Sequence, residues 1–287
     1  MTLADQLARA LEFDPARFVP WGAGNETVGW VTPGFAHTLQ GFADVFRVRG
    51  DGLALIPEGR QQRTAALERV ARALAARGVV SGWRDERYAI RSAATGEPLF
   101  DLERAAIRRF GLRAHAAHLN GYVRAAGGMR IWIARRSLVK PIDPGQLDNL
   151  VGGGIASGMG ARATLVKECW EEAGITRETA ARAIAAGRLR VRRAVEEGLH
   201  DESLIVFDLE LPPDFRPCNR DGEVAEFLCL GMPELIERLA GGEFTADAGA
   251  VAIDWLARQG SLESDAKLAG LLVRLREDPE AKAADPG

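Results

Sequence analysis

Cysteine is scarce: the 287-residue chain holds three, Cys169, Cys218 and Cys229. They form no CxxC pair and sit in no secretory context, so neither a disulfide framework nor a zinc site is expected. Long apolar runs are missing as well. Nothing approaches the ~18 consecutive apolar residues of a membrane span. The opening stretch MTLADQLARALEF is short and amphipathic, without a signal-peptide core. The expected compartment is therefore the cytoplasm. No sign of charge dominates either, since 37 Lys and Arg stand against 40 Asp and Glu, a formal net charge of −3. That balance gives no general attraction to nucleic acid or to an anionic membrane, so basic residues that meet phosphate must act locally. What remains is ordinary globular material, 47% hydrophobic and 27% charged. It suffices for one large or two modest domains.

Periodicity divides the chain in two. Residues 1–110 read as a smaller α+β accessory domain: a helix at 3–11, an extended stretch at 26–31, and an apolar hairpin at 45–56 turning on Gly50-Asp51-Gly52. A helix at 61–77 and a strand-like region at 84–100 follow, then a short helix at 102–111 that marks a boundary. From 112 the pattern turns to strands, RAHAAHLNGYVR and MRIWIARRS, the second alternating Arg130, Trp132 and Ala134 against Ile131 and Ile133. Strands at 190–194, 204–211 and 227–230 and helices at 232–240, 248–259 and 266–276 complete a domain over 111–277. The tail, 278–287, is expected to be disordered. Strands flanked by helices imply an α/β sandwich.

The chemistry concentrates at 153–175, GGIASGMGARATLVKECWEEAGI. A glycine-rich loop runs into an amphipathic helix that carries Glu168, Glu171 and Glu172 on one face, with Cβ atoms roughly 5–6 Å apart. Like charges at that spacing repel unless a cation joins them. Mg²⁺ is a hard ion bound by one or two carboxylates plus substrate phosphates. Glycines and free backbone N–H groups let a phosphate approach closely. The segment has no GKS or GKT, so a P-loop is excluded. A bare E-x-x-E-E run is often only a solvated face, and here it is the joint spacing with the Gly174 helix stop that points to a metal site.

This segment resembles the Nudix box, G-x5-E-x7-R-E-U-x-E-E-x-G-U with U apolar. Gly153, Glu168, Cys169, Glu171, Glu172, Gly174 and Ile175 fall on its positions, while Met159 replaces a Glu and Lys167 an Arg. The two replaced residues would be partners in a loop-to-helix ion pair, so their joint loss removes a brace without orphaning a charge. RAHAAHLNGYV, FDLELPPDF and DGEVAEF extend the resemblance to the thiamine-pyrophosphokinase-related branch of Nudix hydrolases, which has an extra N-terminal domain. The chain ends too soon for a kinase domain, so kinase activity is not implied.

The resemblance implies a Nudix α/β/α sandwich and a Mg²⁺-dependent pyrophosphohydrolase, with Mn²⁺ as a substitute ion. It implies a small-molecule diphosphate substrate, namely oxidised or damaged thiamine diphosphate analogues cut to monophosphate and phosphate. Glu168, Glu171 and Glu172 and the carbonyl of Gly152 are the expected metal ligands. Glu168, Glu171 or Glu223 would serve catalysis, with Glu226 a weaker base. His118, Asn120, Arg135, Lys140 and Gly153 are candidate substrate contacts, with Arg136, Arg192 and Arg193 unranked behind them. His115 lies three residues from His118, on the opposite strand face. Trp132 and Trp170 are expected in the core, and Cys169 on the buried side of its helix. Other readings are hydrolysis of a nucleoside or sugar diphosphate, a catalytically silent binder, or prenyl-diphosphate isomerisation. The last would need a well-placed Cys and acid. The N-terminal domain is a candidate to cap the site, bind a partner or mediate a homodimer.

Overall fold

A computed structural model describes residues 1–262 and 265–276; the tail at 278–287, expected to be disordered, lies outside the described residues. The first part of the chain runs α1 (Leu3–Ala10), β1 (Val19–Ala23), β2 (Glu26–Val31), α2 (Pro33–Gln40), β3 (Phe46–Arg49), β4 (Gly52–Leu55), α3 (Arg60–Ala76), β5 (Arg87–Arg91) and β6 (Pro98–Glu103). Strands β2, β1, β4 and β3 form one sheet in that order, and β5 pairs with β6. Trp21, Phe100 and Phe110 fill the core they enclose. The short helix expected over 102–111 is a single 3-10 turn at Arg104–Ala106, because Leu102 and Glu103 still belong to β6.

The chain then crosses at Gly111, where φ is +58° and an added Cβ would lie 1.7 Å from the Trp30 carbonyl oxygen. Beyond it come β7 (Arg113–Ala125), β8 (Gly128–Arg136), β9 (Leu147–Asn149), β10 (Val151–Gly154), α4 (Ala161–Ala173), α5 (Arg177–Ala180), β11 (Ile184–Val195), β12 (Gly198–Glu210), β13 (Val224–Gly231), α6 (Met232–Ala240), α7 (Ala246–Arg258) and α8 (Ala266–Arg276). Seven strands make one sheet in the order β11-β12-β7-β8-β13, with β10 on β7 and β9 on β8. Strands β12 and β7 run parallel.

Helix α4 covers one face of this sheet, through Leu165, Cys169 and Ala173 against Ala117 and Leu119. The other face buries Ile131 and Ile133 beneath Leu235 and Trp255 of α6 and α7. The result is an α/β/α sandwich with an extra N-terminal domain. The alternation in β8 marks two distinct faces, as expected, and over 131–134 both are buried: Trp132 enters the α4 side and Ile131 and Ile133 the α7 side, while Arg130 stays exposed. Helix α1, expected with the N-terminal domain, packs Ala4, Leu7 and Ala10 into this second core. Thr2 and Asp5 close its first turn as a capping box. Gln6 Nε2 donates to the carbonyls of Phe244 and Thr245, and Lys267 Nζ reaches Asp5 at 2.9 Å. No helix of the described residues is long and apolar enough to cross a membrane.

Candidate metal centre and cleft

Helix α4 starts at Gly160 and ends where Gly174 turns left-handed at φ 65°, letting the Ile175 N–H reach back to Cys169 O at 2.9 Å. Glycines 153 and 154, read from sequence as the start of a loop, belong with Val151 and Gly152 to strand β10, and the loop proper begins at Ile155. The strand lies close under the helix. Glu172 is 8% exposed, and its Oε2 accepts a hydrogen bond from the Gly152 N–H at 2.9 Å. Glu168 crosses Gly153 so tightly that a Cβ there would sit 2.4 Å from Glu168 Cγ. Close approach, rather than a left-handed backbone, makes that glycine necessary.

Burial pushes the Glu172 carboxyl well above its ordinary range; the Gly152 N–H offsets part of this, and the charges of Glu168 and Asp148 add to it. Burial likewise raises Glu168, against the opposing pull of Lys167. Glu223 behaves differently: burial would raise it, but Lys140 outweighs that and holds it below the usual carboxylate value. Burial also pushes the Cys169 thiol up to about 12, so it is no nucleophile and does not support the isomerase reading. Carboxylate oxygens of Glu172, Asp221 and Glu223 lie within 4.8 Å of one another. An all-oxygen set gathered against buried negative charge fits a hard divalent cation such as Mg²⁺.

A cleft of about 430 Å³ opens beside these residues. His118, Lys140, Gly152, Gly153 and Glu223 line it from the sandwich, and Tyr88 and Arg104 from the N-terminal domain. His118 Nδ1 is 2.8 Å from Asn149 Oδ1, which fixes the ring beneath Gly152. Lys140 Nζ is ion-paired with Glu223. Asn120 and Arg135 are not brought to the cleft. Asn120 is fully buried and donates to Asp208 Oδ1 at 2.9 Å, and Arg135 Nε spends its charge on Glu226 across β8 and β13 at 2.9 Å. Glu226, with that partner, also stays outside the lining. Glu171 faces outward, 2.7 Å from Lys167 Nζ.

Trp132 is in the core, edge-on to Phe215, but Trp170 is 46% exposed with the Arg220 guanidinium stacked 3.8 Å from its ring. One residue past buried Cys169, it is turned about 100° away from the core. Sequence reasoning did not single out Asp221, two residues before Glu223. It also missed Asp148, Tyr88, Arg104 and a second group on the cleft wall, His200, Glu202 and Asp247. His200 and Glu202 share one face of β12, a signal available in the spacing; nothing in the sequence pointed to Tyr88 or Arg104.

A family model described as the NUDIX domain matches residues 118–246, and one described as a domain of unknown function (DUF4743) matches 2–114. Two curated relatives come from Arabidopsis thaliana. "Nudix hydrolase 24, chloroplastic" is 36% identical over 266 residues, spanning 91% of this chain and 73% of that protein. "Nudix hydrolase 20, chloroplastic" is 35% identical over 260 residues, spanning 86% and 70%. Among solved structures, DR0079 from Deinococcus radiodurans is similar at 23% identity and a TM-score of 0.43, over 61% of this chain and 98% of that one.

Proposed function

The chain belongs to the Nudix hydrolase family, and from that premise we propose that it is a Mg²⁺-dependent pyrophosphohydrolase of the thiamine-pyrophosphokinase-related branch. Its substrates are oxidised or otherwise damaged thiamine diphosphate analogues, which it cuts to monophosphate and phosphate. The observation that carries the metal-dependent reading is the gathering of Glu172, Asp221 and Glu223 oxygens within 4.8 Å, Glu223 also lining the cleft together with Gly152 and Gly153. Glu168 and Glu172, with the Gly152 carbonyl, would hold the ion. Glu171 stays in the set by resemblance to the family. When bound, Mg²⁺ neutralises diphosphate oxygens, orients them and lowers the pKa of a water.

The chain's own groups do the rest. The glycines of β10 let Glu168, Tyr88 and His118 close in on the strand that borders the cleft. Lys140, on the cleft wall, meets a phosphate oxygen as a point charge. Glu223, which Lys140 keeps ionised, accepts the proton of the attacking water. Glycines and metal treat all diphosphates alike, so selectivity rests with the polar walls. Polar groups matched to a substrate oxygen discriminate strongly against an analogue without it; Tyr88, His200 and Glu202 stand where such matching would occur.

The experiment is a panel of thiamine, nucleoside and sugar diphosphates with Mg²⁺ present and absent, reading phosphate and monophosphate. Oxidised or oxygen-substituted thiamine diphosphates are expected to show higher kcat/KM than thiamine diphosphate. Equal or better rates on ADP-ribose or nucleoside diphosphates move the substrate class and leave the hydrolase standing. Glu172→Gln keeps side-chain size and removes a charge the ion requires, so turnover should fall by about 10² or more with the fold intact. Near-normal turnover in that variant removes the catalytic assignment.

A further inference from the structure

The loop between β10 and α4, residues 155–160, leads directly into the helix that carries Glu168 and Glu172, yet it has no internal ion pair. Met159, where the box pattern has Glu, is half-buried against the α4 core. Lys167, where it has Arg, turns to Glu168 at 3.1 Å and Glu171 at 2.7 Å. Glycines 158 and 160 flank Met159, and Gly158 has φ +85°, so the loop has wide backbone freedom of its own.

Its anchors lie partly in the other domain. The Ile155 N–H donates to His115 O of β7, but the Ser157 N–H donates to Arg87 O of β5 at 2.7 Å, and Ser157 Oγ donates to Asp101 of β6. Asp101 is itself locked in place. Arg60 of α3 grips it through Nε and Nη2 at 2.9 and 3.0 Å, and its own N–H donates to Thr64 Oγ1 at 2.9 Å. Just before the loop, the Tyr88 hydroxyl closes over Gly154, where an added Cβ would be 1.8 Å from Oη.

We propose that the N-terminal domain is the brace of the loop that leads into the metal-binding helix: Asp101, held by Arg60, and the Arg87 carbonyl position Ser157 and take over the work of the Glu–Arg pair that the box has lost. Asp101 and Ser157 are positioning residues; neither touches the diphosphate. The bond from Ser157 to an ionised carboxylate is of the stronger, charge-assisted kind, and it ties the loop at its centre to the β5–β6 ribbon. The proposal rests on Glu168 and Glu172 being metal ligands, the reading given above.

The test compares the wild-type chain with Ser157→Ala and Asp101→Asn by amide hydrogen exchange over residues 155–160, read without substrate or metal, and by Mg²⁺ dependence of turnover. Both variants should exchange faster in that loop. They should also need about tenfold more Mg²⁺ for half-maximal rate, or lose about tenfold in kcat, with thermal stability nearly unchanged. Adding Met159→Glu with Lys167→Arg to Ser157→Ala should restore slow exchange and turnover, because it rebuilds the internal pair. Exchange unchanged in both variants, or a loss that the double exchange does not rescue, overturns the brace. A wild-type chain with no Mg²⁺-dependent hydrolysis overturns the hydrolase reading alone, since loop exchange is measured independently.

Discussion

At the scale of single residues, the closeness of strand β10 to helix α4 makes the glycines unequal. In Gly153→Ala the new methyl would overlap Glu168, whose side chain must leave its place. Turnover should drop by about 10², the usual cost of a misplacement near 1 Å, while circular dichroism stays native. Gly152→Ala meets only the His118 ring at 3.1 Å and should lose several-fold less; equal losses in the two would separate Gly153 from the Glu168 contact. Asp201 offers a pH test. Burial would raise its carboxyl, but Arg190, Arg113 and Arg192 outweigh this and hold it low. A depressed folded-state value contributes stability above the unfolded value of about 3.9, and that stability is lost as pH falls through the folded value. Asp201→Asn leaves Arg190 without its bidentate partner and should cost about 3–5 kcal/mol at neutral pH. The gap between wild type and variant in denaturant melts should narrow below about pH 4. Glu168, Glu172 and Gly153 were legible in the sequence because helix spacing and a fixed motif register place them. Asn120 and Arg135 were not, because their partners, Asp208 and Glu226, come from strands about 90 residues away in sequence.

At the scale of elements, what could be read depended on how local the signal is. Helix α1 starts where expected, and β2, α6 and α8 fall on their expected bounds, whereas α7, capped by Thr245, begins at Ala246, two residues before the expected 248. Strands β9 and β10 were hidden: three and four residues long, one of them mostly glycine, they exist through pairing with β8 and β7 rather than through propensity. The burial of both faces of β8 over 131–134 was equally invisible, since only tertiary packing decides what covers each side. The crossing at Gly111 gives a sharp prediction. Gly111→Ala puts a Cβ on a left-handed residue and into the Trp30 carbonyl, and should cost roughly 2–4 kcal/mol in urea unfolding. Gly50→Ala, at φ +59° with nothing within 4 Å, should cost only about 1 kcal/mol. Similar values for the two would remove the close approach as the reason for Gly111.

At the scale of the whole molecule, the two domains are structurally interdependent. The N-terminal domain supplies a wall of the cleft and the Ser157 anchor, and α1 supplies Ala4, Leu7 and Ala10 to the core of the other domain. Expressing residues 111–287 alone should therefore give a protein that binds hydrophobic dye, aggregates and shows no sharp thermal transition. A cooperative, active fragment would contradict this packing. That the first helix closes the second domain's core was beyond sequence reasoning, because an amphipathic face states that it needs a partner and not which one.

The seat of α1 also sets a timetable for folding. Asp5 meets Lys267 across 262 residues of chain. At a synthesis rate of about 5–20 residues per second, the apolar side of α1 is made roughly 13 to 52 s before the residues that cover it. Such a distant pairing is slow to close on its own account. The β-sheets can assemble while the chain is still growing, but the face that α1 shares with α7 and α8 must wait until those two helices have been made. Throughout that interval the nascent protein displays an unsatisfied greasy surface, which is the kind of surface chaperones hold.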